Sequence, residues 1–190
     1  AAKQRLTEAV ENEVERLLVE SRFLFYEEID RQILSVEAEL EKAAEADKQV
    51  ELLRTHPGIA LLTSMALRHT LGDVKRFRRK EEVVAFVGLD PLDHSSGERK
   101  RIGHISKHGS RLLRHLLGQA AQTTRDRRIR QFYSQVSRRR DSQRAKVAAA
   151  RKLLINCYVM LRDNISYQEF TRRGEVGLYG GTGEVKSAIS

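Results

Sequence analysis

The sequence has little of what stabilises small secreted or β-rich proteins: no tryptophan, one cysteine and two prolines in 190 residues. The single cysteine, Cys157, excludes an intramolecular disulfide framework and a cysteine-based zinc cluster, and its place in an apolar helical stripe predicts a buried structural thiol. Twelve glycines are too few for a strand-and-turn sandwich, while 40% hydrophobic residues argue against disorder. A mostly helical globular protein remains.

Long apolar runs are also missing. No stretch approaches the roughly 18 consecutive apolar residues of a membrane-spanning helix. The first residues lack the apolar core and small-residue cleavage site of a secretory signal. We therefore expect no membrane partner and a cytoplasmic location.

Charge divides the chain into two parts. Residues 1–50 hold seven basic and thirteen acidic residues, a net charge of −6, whereas residues 51–190 have a net charge of +15. A charge that high on one domain repels itself, and it is typical of proteins that bind a polyanion, most often nucleic acid. The second part is therefore predicted to bind nucleic acid.

Residues 1–56 contain neither Gly nor Pro and are predicted to form one long helix. A heptad phase over residues 29–50, with Asp47 in one core position, predicts a coiled coil through which the chain forms a homo-oligomer. The alternative is an amphipathic helix that folds back on its own domain. The apolar positions are Val10, Val14, Leu17, Leu24, Ile29, Ile33, Val36, Leu40, Ala43 and Val50.

A turn at Pro57, Gly58 and Ile59 separates this helix from the next apolar run. The spacing is similar to that of helix-hairpin-helix modules, in which backbone N–H groups at a helix start meet phosphate. Ala60 stands where such modules usually have a second glycine. A structural hairpin and a phosphate-contacting hairpin therefore both remain open.

A short apolar helix over residues 81–88 precedes the long irregular segment 90–110, which contains three glycines and several basic residues. Long ordered loops on helical scaffolds are often functional, and the segment around residues 99–105 permits a hairpin of short strands. Three further helices follow, and between residues 125 and 152 eleven basic residues face only two acidic ones. This excess predicts phosphate contact, with consecutive Arg138, Arg139 and Arg140 at its centre.

The loop offers the side chains that a serine nucleophile needs. Ser96 precedes Gly97, Asp93 and His94 are candidates for proton transfer, and nearby cations can stabilise phosphoryl charge. On the residues alone, ordinary loop chemistry is the stronger interpretation of Ser-Ser-Gly. The cations that follow the serines are Arg99, Lys100 and Arg101.

The loop histidines do not predict a metal site. His104 and His108 have the spacing of one helical turn, but glycines bracket them and no acidic or thiol ligand completes a site. We predict no metal ligand and no cofactor in this chain.

Four segments within about residues 50–170 form an ordered series of motifs. They are LLRTHPGIALLTSMALRHTLGDVKRF, EEVVAFVGLDP, SSGERKRIGHISKHGSRLLRHLL and AKVAAARKLLINCYVMLRD. Together these segments resemble the C-terminal transposase domain of DEDD-type insertion-sequence transposases, the one-ten and eleven-eleven group of bridge-RNA-guided recombinases.

The resemblance implies that Ser96, or Ser95 in its place, is a nucleophile that forms a covalent phosphoserine link to DNA during strand exchange. It also implies DNA and a structured guide RNA as partners in a bacterial cytoplasm, at the nucleoid when acting. We assign nucleic-acid binding to nine basic residues. They are Arg99, Lys100, Arg101, Lys107, Arg111, Arg114, Arg138, Arg139 and Arg140.

In the family, an RNase-H-like domain with four acidic Mg²⁺ ligands precedes a dimerising coiled coil. Residues 1–56 match that coiled coil in position and character, and nothing matches the acidic domain. The resemblance thus implies the C-terminal part of a longer transposase, beginning inside the linker helix, that binds nucleic acid but scarcely recombines alone.

We therefore expect an all-α fold with three parts: an acidic coiled-coil helix over residues 1–56, a basic transposase domain over 57–170, and a disordered tail over 171–190. The domain would have a helix-hairpin-helix-like core and carry the nucleophile loop, residues 90–110. One alternative is a non-catalytic helical module that recognises structured RNA or branched DNA by shape. Another is an oligomerisation scaffold whose basic face merely keeps it soluble.

Overall fold

The computed structural model describes residues 10, 12–93 and 102–174. For residues 92, 93 and 102–104 it describes the backbone only. The chain divides into two compact units, residues 1–46 and 47–190. Both are dominated by helices, which confirms the all-α prediction. Among the described residues, no helix combines the length and apolar composition that a membrane crossing requires.

The first unit contains helix α1, Glu13–Glu45. The Asn12 side chain begins it by accepting a hydrogen bond from the backbone N–H of Val14 at 2.9 Å. The predicted long helix is confirmed over residues 13–45, and its association with a second copy stays a prediction. The large apolar side chains that α1 exposes are Val14, Leu17, Leu18, Leu24, Phe25, Tyr26, Ile33, Leu34 and Val36.

The predicted helix is not continuous to residue 56. It ends at Glu45, and helix α2, Lys48–Arg54, begins after Asp47. The Asp47 carboxylate accepts hydrogen bonds from the backbone N–H groups of Gln49 and Val50, so it caps a new helix instead of filling a heptad core position. Its other oxygen pairs with Arg68 Nε at 2.9 Å. The unit boundary therefore lies ten residues before the predicted one.

The second unit is a helical domain with one small hairpin of strands. A 3-10 turn at Val74–Arg76 follows its second helix. In chain order after α2, the helices and strands are α3 Leu61–Leu71, α4 Lys80–Val87, β1 Pro91–Asp93, β2 Ile102–Ile105, α5 Arg111–Thr123, α6 Arg127–Arg139, α7 Ser142–Asp163 and α8 Tyr167–Gly174.

The strands β1 and β2 pair antiparallel, with Pro91 opposite Ile105 and Asp93 opposite Ile102 across an irregularity in register. Both strands lie within residues 90–110, the segment predicted to be a long loop. β2 falls where the sequence permitted a short strand, and residues 94–101 are outside the described residues.

Helix α7 is the centre of the core. It packs against α2, α4, α5 and α6, and its apolar stripe includes the fully buried Leu153, Leu154 and Cys157. Burial raises the pKa of the Cys157 thiol far above its usual value, which agrees with a structural role. The Tyr158 hydroxyl donates a hydrogen bond to the carbonyl oxygen of Phe77 at 2.9 Å and so satisfies the polar end of a buried ring.

The last helix extends the ordered domain beyond its predicted end. α8 runs to Gly174, four residues past position 170, because Phe170 is buried and packs with Met160 and Ile165. Residues 175–190, the remainder of the predicted tail, are outside the described residues.

Two glycines allow the end of α4 to pack directly against the backbone that precedes α5. Gly88 ends α4 with φ +76°, and a Cβ atom there would lie 2.7 Å from the backbone nitrogen of His108. A Cβ atom on Gly109 would overlap the backbone of Phe86 and Val87. Both positions therefore require glycine, the first for its backbone angle and both for space.

We predict that Gly109→Ala lowers the free energy of unfolding by about 2–3 kcal/mol, because backbone atoms cannot yield to the added methyl group. Chemical denaturation measures the change. Gly118→Ala in α5 is the control: its Cβ would meet only the flexible end of Lys146, so the change stays within about 1 kcal/mol. Equal losses in both variants would contradict the account.

Candidate nucleic-acid interface

The turn at Pro57 and Gly58 packs against the connection between α5 and α6. A Cβ atom on Gly58 would overlap the side chain of Thr124, and the Pro57 carbonyl oxygen accepts a hydrogen bond from Arg125 N at 3.0 Å. The next residue, Ile59, is buried in the core. Protein atoms thus contact the turn at its glycine, which favours the structural hairpin over the phosphate-contacting one.

A buried polar contact also links the turn to the connection between α5 and α6. His56 Nε2 lies 3.5 Å from an Asp126 carboxylate oxygen, and both side chains are at most 2% exposed. Asp126 caps α6 by accepting hydrogen bonds from the backbone N–H groups of Arg128 and Ile129. The His56 ring also packs on Tyr167, with 4.5 Å between ring centroids.

Burial lowers the pKa of His56 to about 4, and the nearby Asp126 charge offsets only part of that effect. The imidazole is therefore neutral at pH 7, and the contact is not an ion pair. Neither ring nitrogen has a hydrogen-bond partner among the residues that the structure describes. His56 consequently stabilises the fold by packing and makes it sensitive to acid.

The described ends of the segment that is predicted to carry the nucleophile are hydrogen-bonded to each other. Ser106 N donates to the Asp90 carbonyl oxygen at 3.0 Å, and Lys107 N donates to the Gly88 carbonyl oxygen at 3.2 Å. The Ser106 hydroxyl also donates to the Asp90 carboxylate. Lys107 adopts a left-handed conformation with φ +58°, which turns the chain towards α5. We call residues 88–91 and 105–109 the loop base.

Two arginines hold the loop base from the helices below it. Arg151 of α7 donates from Nε and Nη2 to the Leu89 carbonyl oxygen, at 3.1 and 2.5 Å. Arg114 of α5 donates from Nη1 to the carbonyl oxygens of Val87 and Gly109, at 3.1 and 2.6 Å. Hydrogen bonds from a charged donor to buried carbonyls are stronger than neutral ones, so both arginines fix the loop base.

The predicted site residues fall into two groups. Lys107 is exposed in the loop base and Arg111 is exposed beside it, while Arg114 is half-buried and bonded within the protein. Asp93 lies in β1, where the structure describes its backbone only. The remaining loop residues lie outside the described residues: His94, Ser95, Ser96, Arg99, Lys100 and Arg101.

The other predicted basic residues lie at the end of α6. Arg138 and Arg139 are its last residues, Arg140 follows them, and all three are exposed. Asp141 caps α7 through Arg144 N and pairs with the Arg144 side chain. The surface at this end therefore keeps a positive charge that is available to a polyanion.

Three residues of the site were not predicted from the sequence: Arg151, Asp90 and Ser106, which build or hold the loop base. Arg151 carried a signal, because it follows the apolar positions Val147 and Ala150 and lies within the buried half of α7. A charged side chain so placed is predicted to have a fixed internal partner. Asp90 and Ser106 carried no comparable signal, since their pairing depends on how the chain folds between them.

No group of three or more histidine, cysteine or acidic side chains that could hold a metal ion occurs among the described residues.

Comparison with known proteins finds similarity in the basic unit. Residues 50–136 match the sequence model described as Transposase IS116/IS110/IS902 family. This match covers the hairpin, the loop base and most of α6, and it supports an insertion-sequence transposase domain in the basic unit.

Individual transposases show the same similarity. The chain is 36% identical over 88 residues to the transposase for insertion sequence element IS1111A of Coxiella burnetii, covering 46% of this chain and 24% of that protein. It is 37% identical over 90 residues to the transposase for insertion sequence element IS1328 of Yersinia enterocolitica, covering 47% and 27%. The chain thus spans about a quarter of the length of these relatives.

We predict that the free energy of unfolding falls as the pH decreases from about 6.5 to about 4, by roughly 3 kcal/mol. The unfolded chain protonates His56 near pH 6.5 but the folded chain only near 4, so protons favour unfolding across that window. Denaturant titrations at several pH values measure the slope.

His56→Gln should flatten this pH dependence, whereas His115→Gln, at an exposed position of α5, should leave it unchanged. The pKa values of Asp47, Asp141, Asp163 and Glu169 are lowered by hydrogen bonds and nearby arginines, which for Asp47 outweigh the effect of burial. These carboxyl groups begin to lower the stability only near about pH 5, so the variants are compared by their slopes between about pH 6.5 and 5. A slope that persists in His56→Gln would contradict the assignment.

We predict that Arg151→Met speeds amide hydrogen exchange at Ser106 and Lys107 at least about tenfold and destabilises the domain by about 2 kcal/mol, because the Leu89 carbonyl loses its charged donor. Arg144→Met removes an exposed arginine of the same helix as a control. Unchanged exchange at the loop base in Arg151→Met would show that Arg151 does not hold it.

Proposed function

We propose that this chain is the C-terminal part of an insertion-sequence transposase that binds DNA and supplies a serine nucleophile for strand exchange. The match of residues 50–136 to the transposase family carries the proposal. The net charge of the second part of the chain supports it, since the main task of such a domain is to hold a polyanion.

Ser96 is the proposed nucleophile, with Ser95 as the alternative. The segment that contains both serines departs from β1 and returns at β2, and the loop base holds its two ends together through hydrogen bonds and two arginines. A nucleophile on a short segment with fixed ends needs less reordering to meet a phosphate than one on a free chain. This anchoring supports the assignment.

In the proposed step, Ser96 Oγ attacks a DNA phosphorus, its proton passes to a base, and a deoxyribose oxygen leaves as the phosphoserine bond forms. The leaving deoxyribose oxygen takes up a proton. The hydroxyl released from another strand then attacks the phosphoserine phosphorus, the Ser96 Oγ–phosphorus bond breaks and Ser96 regains its proton, which completes the exchange without an external energy source. Arg99, Arg101 and Lys107 are proposed to stabilise the charge on the phosphoryl oxygens. Arg114 was expected to join them, but its guanidinium donates to the carbonyl oxygens of Val87 and Gly109.

The remaining components belong to the rest of the proposed full-length protein. An RNase-H-like domain would hold Mg²⁺ through acidic side chains, a structured guide RNA would select the target, and α1 would join two copies. The exposed apolar side chains of α1 support the last assignment.

We predict that this chain binds DNA and structured RNA with a log affinity that falls against log salt with a slope of about −4.5 or steeper, the value for roughly five phosphates. Fluorescence anisotropy across a salt series measures it. Absence of binding at low salt would contradict both the transposase and the RNA-module interpretations. The oligomerisation scaffold would then be the remaining interpretation.

The nucleophile is tested separately in the full-length transposase. Ser96→Ala should abolish covalent DNA capture while changing DNA affinity less than about twofold, since the hydroxyl contributes little to phosphate binding. Ser95→Ala should retain capture. Strand exchange that persists in both variants would leave a non-catalytic binding module as the function of this domain.

A further inference from the structure

Helix α6 has an exposed face made only of polar and positively charged side chains. Of its thirteen residues, only Ile129 is buried, and the helix packs mainly against α7. The exposed face lines one open depression of the surface. Its six residues are Arg127, Arg130, Gln131, Ser134, Gln135 and Arg138.

The six side chains form a continuous stripe. At 100° per residue their directions fall within about 140° of the helix circumference, and at 1.5 Å per residue the stripe is about 16 Å long. Arginines stand at both ends and amides at the middle. The stripe therefore has cations spaced widely enough to reach phosphates on both sides of a duplex groove.

An ordinary surface helix neutralises such charges through neighbours of opposite sign. α6 contains no acidic residue, and in the described part of the chain none of the six side chains has a recorded hydrogen bond or ion pair. By contrast, Arg31, Arg144 and Arg173 each pair with a carboxylate on their own helix or at its start. The stripe keeps its hydrogen-bonding capacity for an external partner.

We propose that α6 docks in the major groove of B-form DNA, with Arg127, Arg130 and Arg138 on phosphates and with Gln131 and Gln135 towards the base edges. An α-helix fits the major groove of B-DNA, whereas the deep, narrow groove of A-form RNA does not admit one. Glutamine amides present a donor and an acceptor in the arrangement that pairs with adenine. The inference rests on the proposed function, which makes DNA the partner, and adds the surface that meets it.

The first test is the triple variant Arg127→Gln, Arg130→Gln, Arg138→Gln in this chain, titrated with a fluorescein-labelled 20-base-pair DNA duplex over a salt series. We expect the slope of log affinity against log salt to lose two to three units and the affinity at moderate salt to fall at least about thirtyfold. A slope equal to that of the parent chain would overturn the proposal.

The matched control is Arg16→Gln, Arg22→Gln, Arg31→Gln, which removes the same charge by the same substitution from exposed positions of α1. It should change affinity less than about threefold. A loss as large as that of the α6 variant would overturn the proposal, because the effect would then follow net charge and not position.

The amides are tested by Gln131→Ala combined with Gln135→Ala. We expect about tenfold weaker binding of the DNA duplex with an unchanged salt slope, since uncharged contacts release no counterions. Unchanged affinity would remove the groove-facing role and overturn the docking proposed here.

An RNA duplex of the same sequence completes the test. We expect the α6 variants to change its binding less than that of DNA. Equal losses on both duplexes would show a surface that recognises charge without groove geometry and would overturn the proposal. If the parent chain bound neither duplex, the proposed function itself would fail, whereas binding that ignores α6 would contradict only this inference.

Discussion

The basic domain depends on the burial of one helix. Ten of the 22 residues of α7 are buried, so this helix supplies the apolar surface on which α2, α4, α5 and α6 pack. That burial must overcome the mutual repulsion of a large excess of positive charge. The two requirements are compatible because the arginines lie on outer faces or, like Arg151, bond to backbone carbonyls at the edge of the core.

The same helix links the core to the proposed chemistry. Arg151 reaches from α7 to the carbonyl of Leu89, Gly88 and Gly109 allow two backbone segments to touch, and Arg114 bonds to the segments on both sides. The ends of the segment that carries Ser96 are thereby fixed relative to α5 and α7. Stability of the core and placement of the proposed nucleophile are consequently coupled, and substitutions at the loop base should affect both.

The spacing of apolar residues and the positions of helix-ending Gly and Pro residues were enough to predict most of the helices. The apolar stripes of α5, α6 and α7, the end of α4 at Gly88 and the turn at Pro57 all follow from local sequence. The break at Asp47 did not, because a carboxylate that caps a helix and pairs with a residue 21 positions later resembles a tolerated polar residue in a heptad. Distant pairing also decided the role of Gly58, which needs Thr124 beside it.

The number of basic residues is evident from the sequence, but their arrangement is not. Charge excess indicated a polyanion surface, yet Arg114, assigned to nucleic acid from its position, is bonded to two carbonyls inside the protein. The stripe on α6, whose side chains have no bonding partner among the described residues, was not predicted, because the sequence alone does not separate exposed arginines from packed ones. Charge counts identify a surface, whereas burial and bonding identify the side chains that remain available to it.

The central claim is that Ser96 of this domain becomes covalently joined to DNA. The most direct measurement is mass spectrometry of peptides from the full-length transposase after quenching a reaction with its own DNA. The account predicts a nucleotide phosphate on the peptide that contains Ser96, lost in Ser96→Ala. Strand exchange accompanied by an adduct elsewhere, or by none on this domain, would contradict it.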